Sequence, residues 1–402
     1  MVLPADSFIS SQKEVGAMKS GRTSLRHLSL TFAVTLALTC QASAMAAGAQ
    51  PDPAPTADEI SKTVTEYQTA ADAEWTTSAA SAAATTSTAS VQTTQNVRDS
   101  LANEGLAVTS AKSDVGIVDS ATQADGTVLV TADVSTTFTF EGDDTPGIWS
   151  DRHQMTLSSS ASGYTVVSDT IDNKVSEDSE DSEELNETPF MQSSDDKSTA
   201  GSEESEADGE QPAEGQAQPR PNAGNMVKYA LKWTSPPYDG DSKSDFNPEF
   251  PYKNNNCANF VSQVLHAGGW DYDQGYNPYD TAVWAPDLIG PAGPSRTWTR
   301  ARAQRTYVEA HTPYRWLRNI WDAQPGDLLY PDWDSPNQAG KPDGKVDHVM
   351  VVTGRTNNPQ NPLVNGPRIS QKSPNRSNIP LMMSIIMATG QGKEIHWTAF
   401  KR

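Results

Sequence analysis

The 402-residue sequence predicts an α+β protein in which a small N-terminal domain (residues 50–175) and a larger C-terminal domain (residues 223–402) flank an acidic linker (residues 176–222). Three observations carry this prediction. A helical pattern followed by alternating apolar and polar residues marks the first domain. The linker is rich in Asp and Glu. Eight of the ten tryptophans lie in the last region, which therefore has the large side chains that a substantial core needs.

The N-terminal domain begins with helical character over Ala57–Thr76, and a Thr/Ser-rich stretch of low complexity follows it. Apolar and polar residues then alternate over Thr127–Phe140 and Gly163–Val167. This period of two is that of half-buried strands, and turn residues separate the segments. We therefore expect a helix and an antiparallel meander, a small α+β domain to which the sequence assigns no function.

The linker is expected to be disordered, because Ser176–Pro219 contains 15 Asp and Glu against the single Lys197 and few apolar residues. Such a segment cannot bury enough surface to offset its chain entropy. It accounts for most of the formal net charge of −21. An acidic chain without a basic stripe also argues against a nucleic-acid partner, whose phosphates require clustered Lys and Arg.

Residues 1–49 have the pattern of a secretory signal, with Met18 as an alternative start. Lys19, Arg22 and Arg26 precede an apolar run over Leu28–Leu38, and small residues follow. The run is about half the length that spans a bilayer, so no integral membrane span is expected in the mature protein. The expected location is extracellular, with cell-wall association as a possible refinement. A lipoprotein reading would instead make Cys40 the lipidated residue.

Removal of the signal would leave Cys257 as a single cysteine, which cannot form an intramolecular disulfide. Asn256 before it is a typical N-cap, apolar residues follow at helical spacing, and Gly268-Gly269 ends the pattern. Cys257 is therefore predicted at a helix N-terminus, where the helix dipole and backbone N–H groups favour the reactive thiolate. A small buried hydrophobic residue is the alternative role for a free cysteine.

A cysteine nucleophile needs a base, and His348 is the best candidate because it opens the β-branched run of Gly344–Gly354. His266 is expected on the opposite side of the cysteine helix. His153 belongs to the other domain. His311 has no supporting pattern, and His396 remains the weaker rival on a terminal strand.

These motifs resemble the putative amidase domain family of Gram-positive bacteria, a papain-like group related to NlpC-like and CHAP cell-wall hydrolases. The resemblance covers roughly Ala223–Leu381. The matching features are Met226–Trp233, the Cys-x-Asn-Phe-Val-Ser-Gln segment Cys257–Gln263, Gly268-Gly269, Ser295–Trp298, Gly326-Asp327 and Asp347-His348. The resemblance implies a papain-like cysteine hydrolase fold, in which a catalytic helix at the N-terminal side packs on an antiparallel sheet. It also implies that Cys257 attacks an amide carbonyl and His348 carries the proton.

A third polar group in such enzymes orients the imidazole from the strand after the histidine. The family usually has histidine where this chain has Lys372, which cannot accept a hydrogen bond. Asn375 is the candidate that we assign to the catalytic set, and Gln371 is the alternative. Asn256, Asn259 and Gln263 would contribute to the oxyanion site or support the helix, and support is favoured for the last two.

The sequence thus predicts a secreted cysteine amidase or peptidase that forms a thioester intermediate and needs no metal or organic cofactor. Export and the resemblance favour peptidoglycan, or another peptide, as substrate. One alternative is a non-catalytic cell-wall-binding module with the same fold, which the Lys372 departure supports. Another is a structural or adhesive surface protein in which the N-terminal domain carries the function.

Overall fold

Strands from both halves of the chain pair into one continuous sheet. The structure, a computed structural model, describes residues 54–76, 89–160, 163–171, 218–235, 245–253, 255–333, 341–357, 365–390 and 394–402. The N-terminal region (described residues 54–171) contains α1 (Ala57–Glu74), α2 (Ala89–Asn103), β1 (Val108–Thr122), β2 (Val128–Phe140), β3 (Asp143–Ser160) and β4 (Gly163–Ile171). The C-terminal region (described residues 218–402) contains α3 (Ala223–Thr234), α4 (Cys257–Ala267), α5 (Arg296–Thr299), α6 (Ala301–His311), β5 (Arg315–Trp316), a 3₁₀ turn (Ile320–Asp322), β6 (Leu328–Asp332), β7 (Met350–Arg355), β8 (Pro367–Gln371), β9 (Arg376–Pro380), α7 (Leu381–Gly390) and β10 (His396–Lys401).

The strand order is β1-β2-β3-β9-β8-β7-β6-β10-β5, and the neighbouring strands are antiparallel. The long strand β3 pairs with β9 near Ile148 and with β4 farther along, from His153 to Ser160. This arrangement confirms the α+β class with an antiparallel sheet. The papain-like fold and the domain boundaries stay predictions.

The N-terminal region follows the predicted pattern of a helix and a meander. Thr56 and Glu59 form a reciprocal capping box at the start of α1, which satisfies backbone N–H groups that a helix start leaves open. Ile60 and Val64 of α1 lie in a core with apolar residues of β2, β3 and β4. The predicted strands near Thr127–Phe140 and after Gly163 are β2 and β4.

Helix α2 was not predicted from the sequence, and residues 77–88 of the Thr/Ser-rich stretch before it lie outside the described residues. Its second half buries Val97 and Leu101 against Phe138 and Phe140 of β2 and Met383 of α7. Val97 and Leu101 are four residues apart, so they share one helix face. Their partners are distant in the chain, and packing of this kind overrides a weak local helix preference.

The C-terminal region buries both faces of its short strands. One face packs with the helices α3, α4 and α6 in an aromatic-rich core that includes Trp270, Trp284 and Trp298. The other face packs with Leu381 at the start of α7 and with Ile369 and Ile379 of the β8–β9 hairpin. Strands that are buried on both faces have continuous apolar runs rather than alternation.

Two buried ion pairs join the regions beside the β3–β9 ladder. Arg368 Nη1 lies 2.6 Å from Asp143 Oδ2, and Arg376 Nη2 lies 2.7 Å from Asp151 Oδ1. The Arg376 guanidinium also lies 3.5 Å from the centroid of the Trp149 ring. The hairpin formed by β8 and β9 is therefore held from the N-terminal side by charged groups that have little contact with solvent.

Two of the predicted segments fall largely outside the described residues. The signal region at 1–49 lies there, together with Cys40, and so does the linker from 176 to 217. Within the part of the chain that the structure describes, no helix has the length and apolar character that crossing a membrane requires.

Candidate active site

Helix α4 begins at Cys257, as the sequence predicts, and its residues from Cys257 to Leu265 are all buried. The Gly268-Gly269 pair ends the helix in a Schellman motif, in which Trp270 N donates to Leu265 O and Gly269 N donates to His266 O. Gly269 adopts a φ of 106°, which an L-residue with a side chain rarely takes. The predicted helix and its stop signal are therefore confirmed.

Asn256 occupies the N-cap position, as predicted, but it lacks the side-chain contact of a typical cap. No side-chain cap hydrogen bond is made by Asn256, whose Oδ1 instead accepts a 2.6 Å bond from Asn259 Nδ2. Asn259 is saturated, because its Nδ2 also donates to Pro251 O and its Oδ1 accepts from Trp298 Nε1 at 2.6 Å. The Asn256 and Asn259 side chains thus connect the helix start to Pro251 and to Trp298 of α5.

Gln263 lies one turn beyond Asn259 and is buried. Its Oε1 accepts a 2.7 Å hydrogen bond from the Tyr229 hydroxyl of α3. Tyr229 in turn accepts a bond from Asn247 Nδ2. These contacts are those of a side chain that fixes α4 against α3 and against the segment that precedes Cys257.

The Cys257 thiol is 4% exposed, and burial raises its pKa to about 11. Backbone N–H groups of Ala258, Val349 and Cys257 itself act in the opposite direction, as does the charge of Arg300. Burial in apolar surroundings disfavours the charged form more than these donors favour it. Burial therefore opposes the thiolate that the helix start is expected to favour, and the direction of the pKa shift favours the thiol.

His348 directly precedes Val349, whose N–H reaches the Cys257 sulfur. The imidazole is buried and stacks on Trp333, with ring centroids 5.6 Å apart and planes inclined by 27°. Trp333 N donates a 2.7 Å bond to the carboxylate of Asp347. His348 lies two residues before β7 rather than inside the strand, and the chain after β6 holds its ring from one side.

For the other described histidines, the structure gives contacts or exposure that do not involve Cys257. His266 shares a 2.8 Å bond with Trp270 O and a second with the Tyr272 hydroxyl. His396, the weaker rival, lies exposed on β10 opposite Asp332. The remaining two are His153, which pairs with Asp169, and His311, whose ring contacts Tyr307 in a tilted arrangement.

The turn after β8 is tied to the segment before Cys257. Lys372 is 1% exposed and points its Nζ at Asp245 O, 2.9 Å away, above the Phe246 ring. The neighbouring Ser373 adopts a left-handed φ of 59°, and its hydroxyl accepts a 3.1 Å bond from Asn256 N. Lys372 therefore stabilises the segment around Asp245, which precedes Cys257 in the chain.

The two candidates for an orienting group differ in their contacts. Gln371 donates through Nε2 to Pro374 O, and its buried Oε1 has no hydrogen-bond partner in the described structure. Asn375 donates through Nδ2 to Thr234 O, 3.0 Å away at the end of α3, and more weakly to Ser150 Oγ at 3.4 Å, while its buried Oδ1 likewise has no hydrogen-bond partner in the described structure. The amide of Asn375 thus supports the junction of the two regions, and its assignment as the third catalytic residue stays a prediction.

Sequence reasoning missed Ser373 and Val349, both of which contact the nucleophile or the residue before it. Each is adjacent to a residue that the motif had singled out, so reading the motif's neighbours could have found them.

Among the described residues, no three His, Cys, Asp or Glu side chains form a group that could hold a metal ion.

Comparison with known proteins finds relatives of part of the chain. Two proteins of Bacillus subtilis (strain 168) align with the chain: the uncharacterized protein YjcM, 28% identical over 159 residues, and the uncharacterized protein YhbB, 27% identical over 122 residues. These alignments cover 38% and 30% of this chain, and 31% and 35% of the relatives. The chain therefore spans about a third of the length of the curated relatives it matches.

Among solved structures, the intermembrane space region of the chloroplast protein ARC6 aligns with 30% of this chain and 98% of its own length, at 12% identity. The TM-score is 0.23, which supports no structural argument.

A family model described as a putative amidase domain matches residues 220–396, the stretch that contains α3, Cys257, His348 and the β8–β9 hairpin. Residues 220–396 therefore belong to the putative amidase domain family, as the motifs around Cys257 and His348 predicted.

Proposed function

We propose that this protein is an exported cysteine amidase or peptidase that hydrolyses an amide or peptide bond in peptidoglycan. Membership of residues 220–396 in the amidase family indicates amide hydrolysis. The observation that carries the cysteine mechanism is the approach of the Val349 N–H to the Cys257 sulfur, because it places the candidate nucleophile beside the residue that follows His348.

In the proposed reaction, His348 removes the thiol proton as the Cys257 sulfur attacks the carbonyl carbon. The tetrahedral intermediate collapses to a thioester as His348 protonates the leaving amine. Water, deprotonated by His348, then attacks the thioester, which releases the acid and restores the thiol. A resting thiol fits this sequence, because the base acts during attack rather than on a preformed thiolate.

Backbone N–H groups at the start of α4 are the proposed oxyanion donors, since donors near the reactive sulfur stabilise the charge that develops on the carbonyl oxygen. Gln371 is the proposed orienting residue. Its Oε1 is buried without a hydrogen-bond partner in the described structure, and a side-chain carbonyl can accept an imidazole N–H. An unused buried acceptor costs free energy, which favours a role for it.

The test compares the full chain with Cys257→Ala and His348→Gln on purified peptidoglycan, with release of fragments and new amino termini followed by mass spectrometry. Cys257→Ala should abolish release, and His348→Gln should lower the rate about 10²- to 10⁴-fold, the usual contribution of a general base. His396→Gln is the matched control, because His396 is exposed on β10, and it should keep the full rate. Gln371→Met should give an intermediate loss.

A non-catalytic cell-wall-binding module is the second candidate. The buried Lys372 at the usual histidine position and the raised pKa of Cys257 favour it. Retention of peptidoglycan binding by Cys257→Ala, with no fragments from either protein, would establish that function and overturn the hydrolase. Fragments that carry new amino termini from the unmodified protein alone would establish the hydrolase and identify the bond.

A further inference from the structure

A small cavity lies beside the start of α4 and has a cationic lining. Its volume is about 200 Å³, and its polar lining comes from Lys253, Asn255, Tyr279, Arg296, Thr299 and Arg300. The described lining thus includes three cations and no carboxylate, in a chain whose formal net charge is −21. Ligand pockets that enclose a whole small molecule usually measure about 300–1,000 Å³, so this cavity fits one residue or one group of a larger ligand.

The cavity is next to the candidate nucleophile. Asn255 precedes Cys257 by two residues, and Arg300 lies close enough for its charge to lower the pKa of that thiol. The wall formed by α5 is fixed to the cysteine helix, because Trp298 Nε1 donates to Asn259 Oδ1 and Trp298 O accepts a 2.9 Å bond from Ser262 Oγ. A group bound in the cavity is therefore held at a set position relative to Cys257.

The two arginines are arranged on one side of the wall. Arg296 begins α5 and Arg300 directly follows it in extended backbone, with Arg300 N donating to Arg296 O at 2.7 Å, and both residues line the cavity. The Arg296 guanidinium lies 4.4 Å from the centroid of the Tyr279 ring, which is 59% exposed. Stacking of this kind restricts the guanidinium plane, and a planar arginine fork matches the two oxygens of a carboxylate.

We propose that this cavity is a carboxylate subsite, which binds a free carboxylate of the substrate close to the scissile amide and makes the enzyme selective for anionic peptides. The inference rests on the proposed amidase function and adds the substrate class. Arg296 and Arg300 would bind the carboxylate oxygens, and Lys253, which also lines the cavity, would add positive charge. Arginine is suited to this role because it stays charged at all relevant pH values.

The experiment uses two synthetic stem-peptide analogues that differ only in whether the glutamyl residue carries a free carboxylate or a carboxamide. The ratio of kcat/KM for the two peptides is measured with the full chain. We expect a preference for the carboxylate of about tenfold or more, the range of hydrogen bonds to charged groups. Arg296→Gln should reduce this ratio to about 1, and Arg318→Gln, an exposed arginine outside the cavity, should leave it unchanged.

Binding to the Cys257→Ala full chain provides a second measurement that does not need turnover. Titration calorimetry should give tighter binding of the carboxylate peptide, and the additional Arg296→Gln substitution should remove the difference. Hydrolysis of both peptides at equal rates, with no effect of Arg296→Gln, would overturn the subsite and leave the amidase function standing. Selective binding without hydrolysis of either peptide would uphold the subsite and overturn the hydrolase.

Discussion

The N-terminal region and the turn after β8 differ in whether their buried polar side-chain atoms have hydrogen-bond partners. In the described N-terminal region, no buried side-chain nitrogen or oxygen lacks a hydrogen bond. For example, Asp133 binds Arg152 at 2.9 Å and Asp169 binds His153 at 2.9 Å. At the turn after β8, by contrast, buried Gln371 Oε1 and Asn375 Oδ1 have no hydrogen-bond partner among the described residues.

The turn after β8 thus has two buried acceptors that no described group uses. Buried polar groups in native proteins are nearly always satisfied, and the exceptions call for a specific explanation such as a catalytic role. Arg376 and Arg368 connect the two regions, because each projects from the β8–β9 hairpin to an aspartate of the N-terminal region. We infer that the N-terminal region holds the hairpin whose turn contacts the residues before Cys257.

The largest expected effect comes from breaking this connection with Asp151→Ala. The Asp151 and Arg376 side chains are 6% and 5% exposed, so removal of the carboxylate leaves a buried uncompensated guanidinium. Such a loss typically costs about 3–5 kcal/mol in the free energy of unfolding. Asp99→Ala is the matched control, because the Arg98–Asp99 pair has the same 2.7 Å distance but Asp99 is 64% exposed.

The control should change the free energy of unfolding by less than about 1 kcal/mol, as surface pairs do. Urea denaturation of the full chain measures both values. Equal small losses for the two variants would show that the Asp151–Arg376 pair does not carry the junction. The N-terminal region would then be a neighbour of the hairpin rather than its support.

The second prediction concerns the pH dependence of Cys257 alkylation. Burial raises the pKa of the Cys257 thiol to about 11, and below that pH the thiolate fraction increases about tenfold for each unit by which the pH rises. Iodoacetamide reacts with the thiolate, so alkylation should be roughly a hundredfold faster at pH 9 than at pH 7. A small thiol of pKa about 8.5 is the reference, and its rate should level off above that pH. The measurement uses a Cys40→Ser background, in which Cys257 is the single cysteine.

A rate that reaches its plateau below pH 8 would contradict this prediction. It would indicate a preformed thiolate, stabilised by a positive charge on His348, and would restore the expectation derived from the helix start. The outcome therefore decides whether burial or the helix N-terminus dominates at this sulfur.

Local patterns in the sequence were sufficient for the elements that carry their own signals. The helical pattern over Ala57–Thr76, the Gly268-Gly269 stop and the β-branched run after His348 each reflect contacts within a few residues. The pKa of Cys257 could not be predicted this way, because burial depends on side chains from several elements. The helix start was visible in the sequence, and the desolvation that opposes it was not.

The long-range features were beyond reach for a similar reason. Helix α2 depends on Phe138, Phe140 and Met383, which lie on distant elements. The β3–β9 ladder contains only two residue pairs, Ile148–Ser377 and Trp149–Arg376, separated by more than 200 positions in the chain. Pairings so short and so distant leave no periodic signal, and here charged side chains at their flanks reinforce them.

The smallest expected effect lies within the N-terminal region, at His153. Burial lowers the pKa of His153, but the hydrogen bond and charge of Asp169, with the charges of Asp151 and Asp133, outweigh burial and raise it above 6.5. The facing cation is Arg152, which binds Asp133. A histidine pKa that is higher in the folded state contributes stability below the unfolded pKa, and this contribution is lost as pH rises through the folded pKa.

His153→Gln should therefore lower the melting temperature more at pH 5.5 than at pH 9, by about 1–3 °C. His396→Gln is the matched control, because that side chain is exposed on β10, and its melting-temperature difference should not change with pH. A larger loss for His153→Gln at pH 9 would show that burial dominates at His153, as it does at Cys257. In both regions the protonation of a buried titratable group would then be decided by burial, and at His153 the neighbouring carboxylates would have the smaller effect.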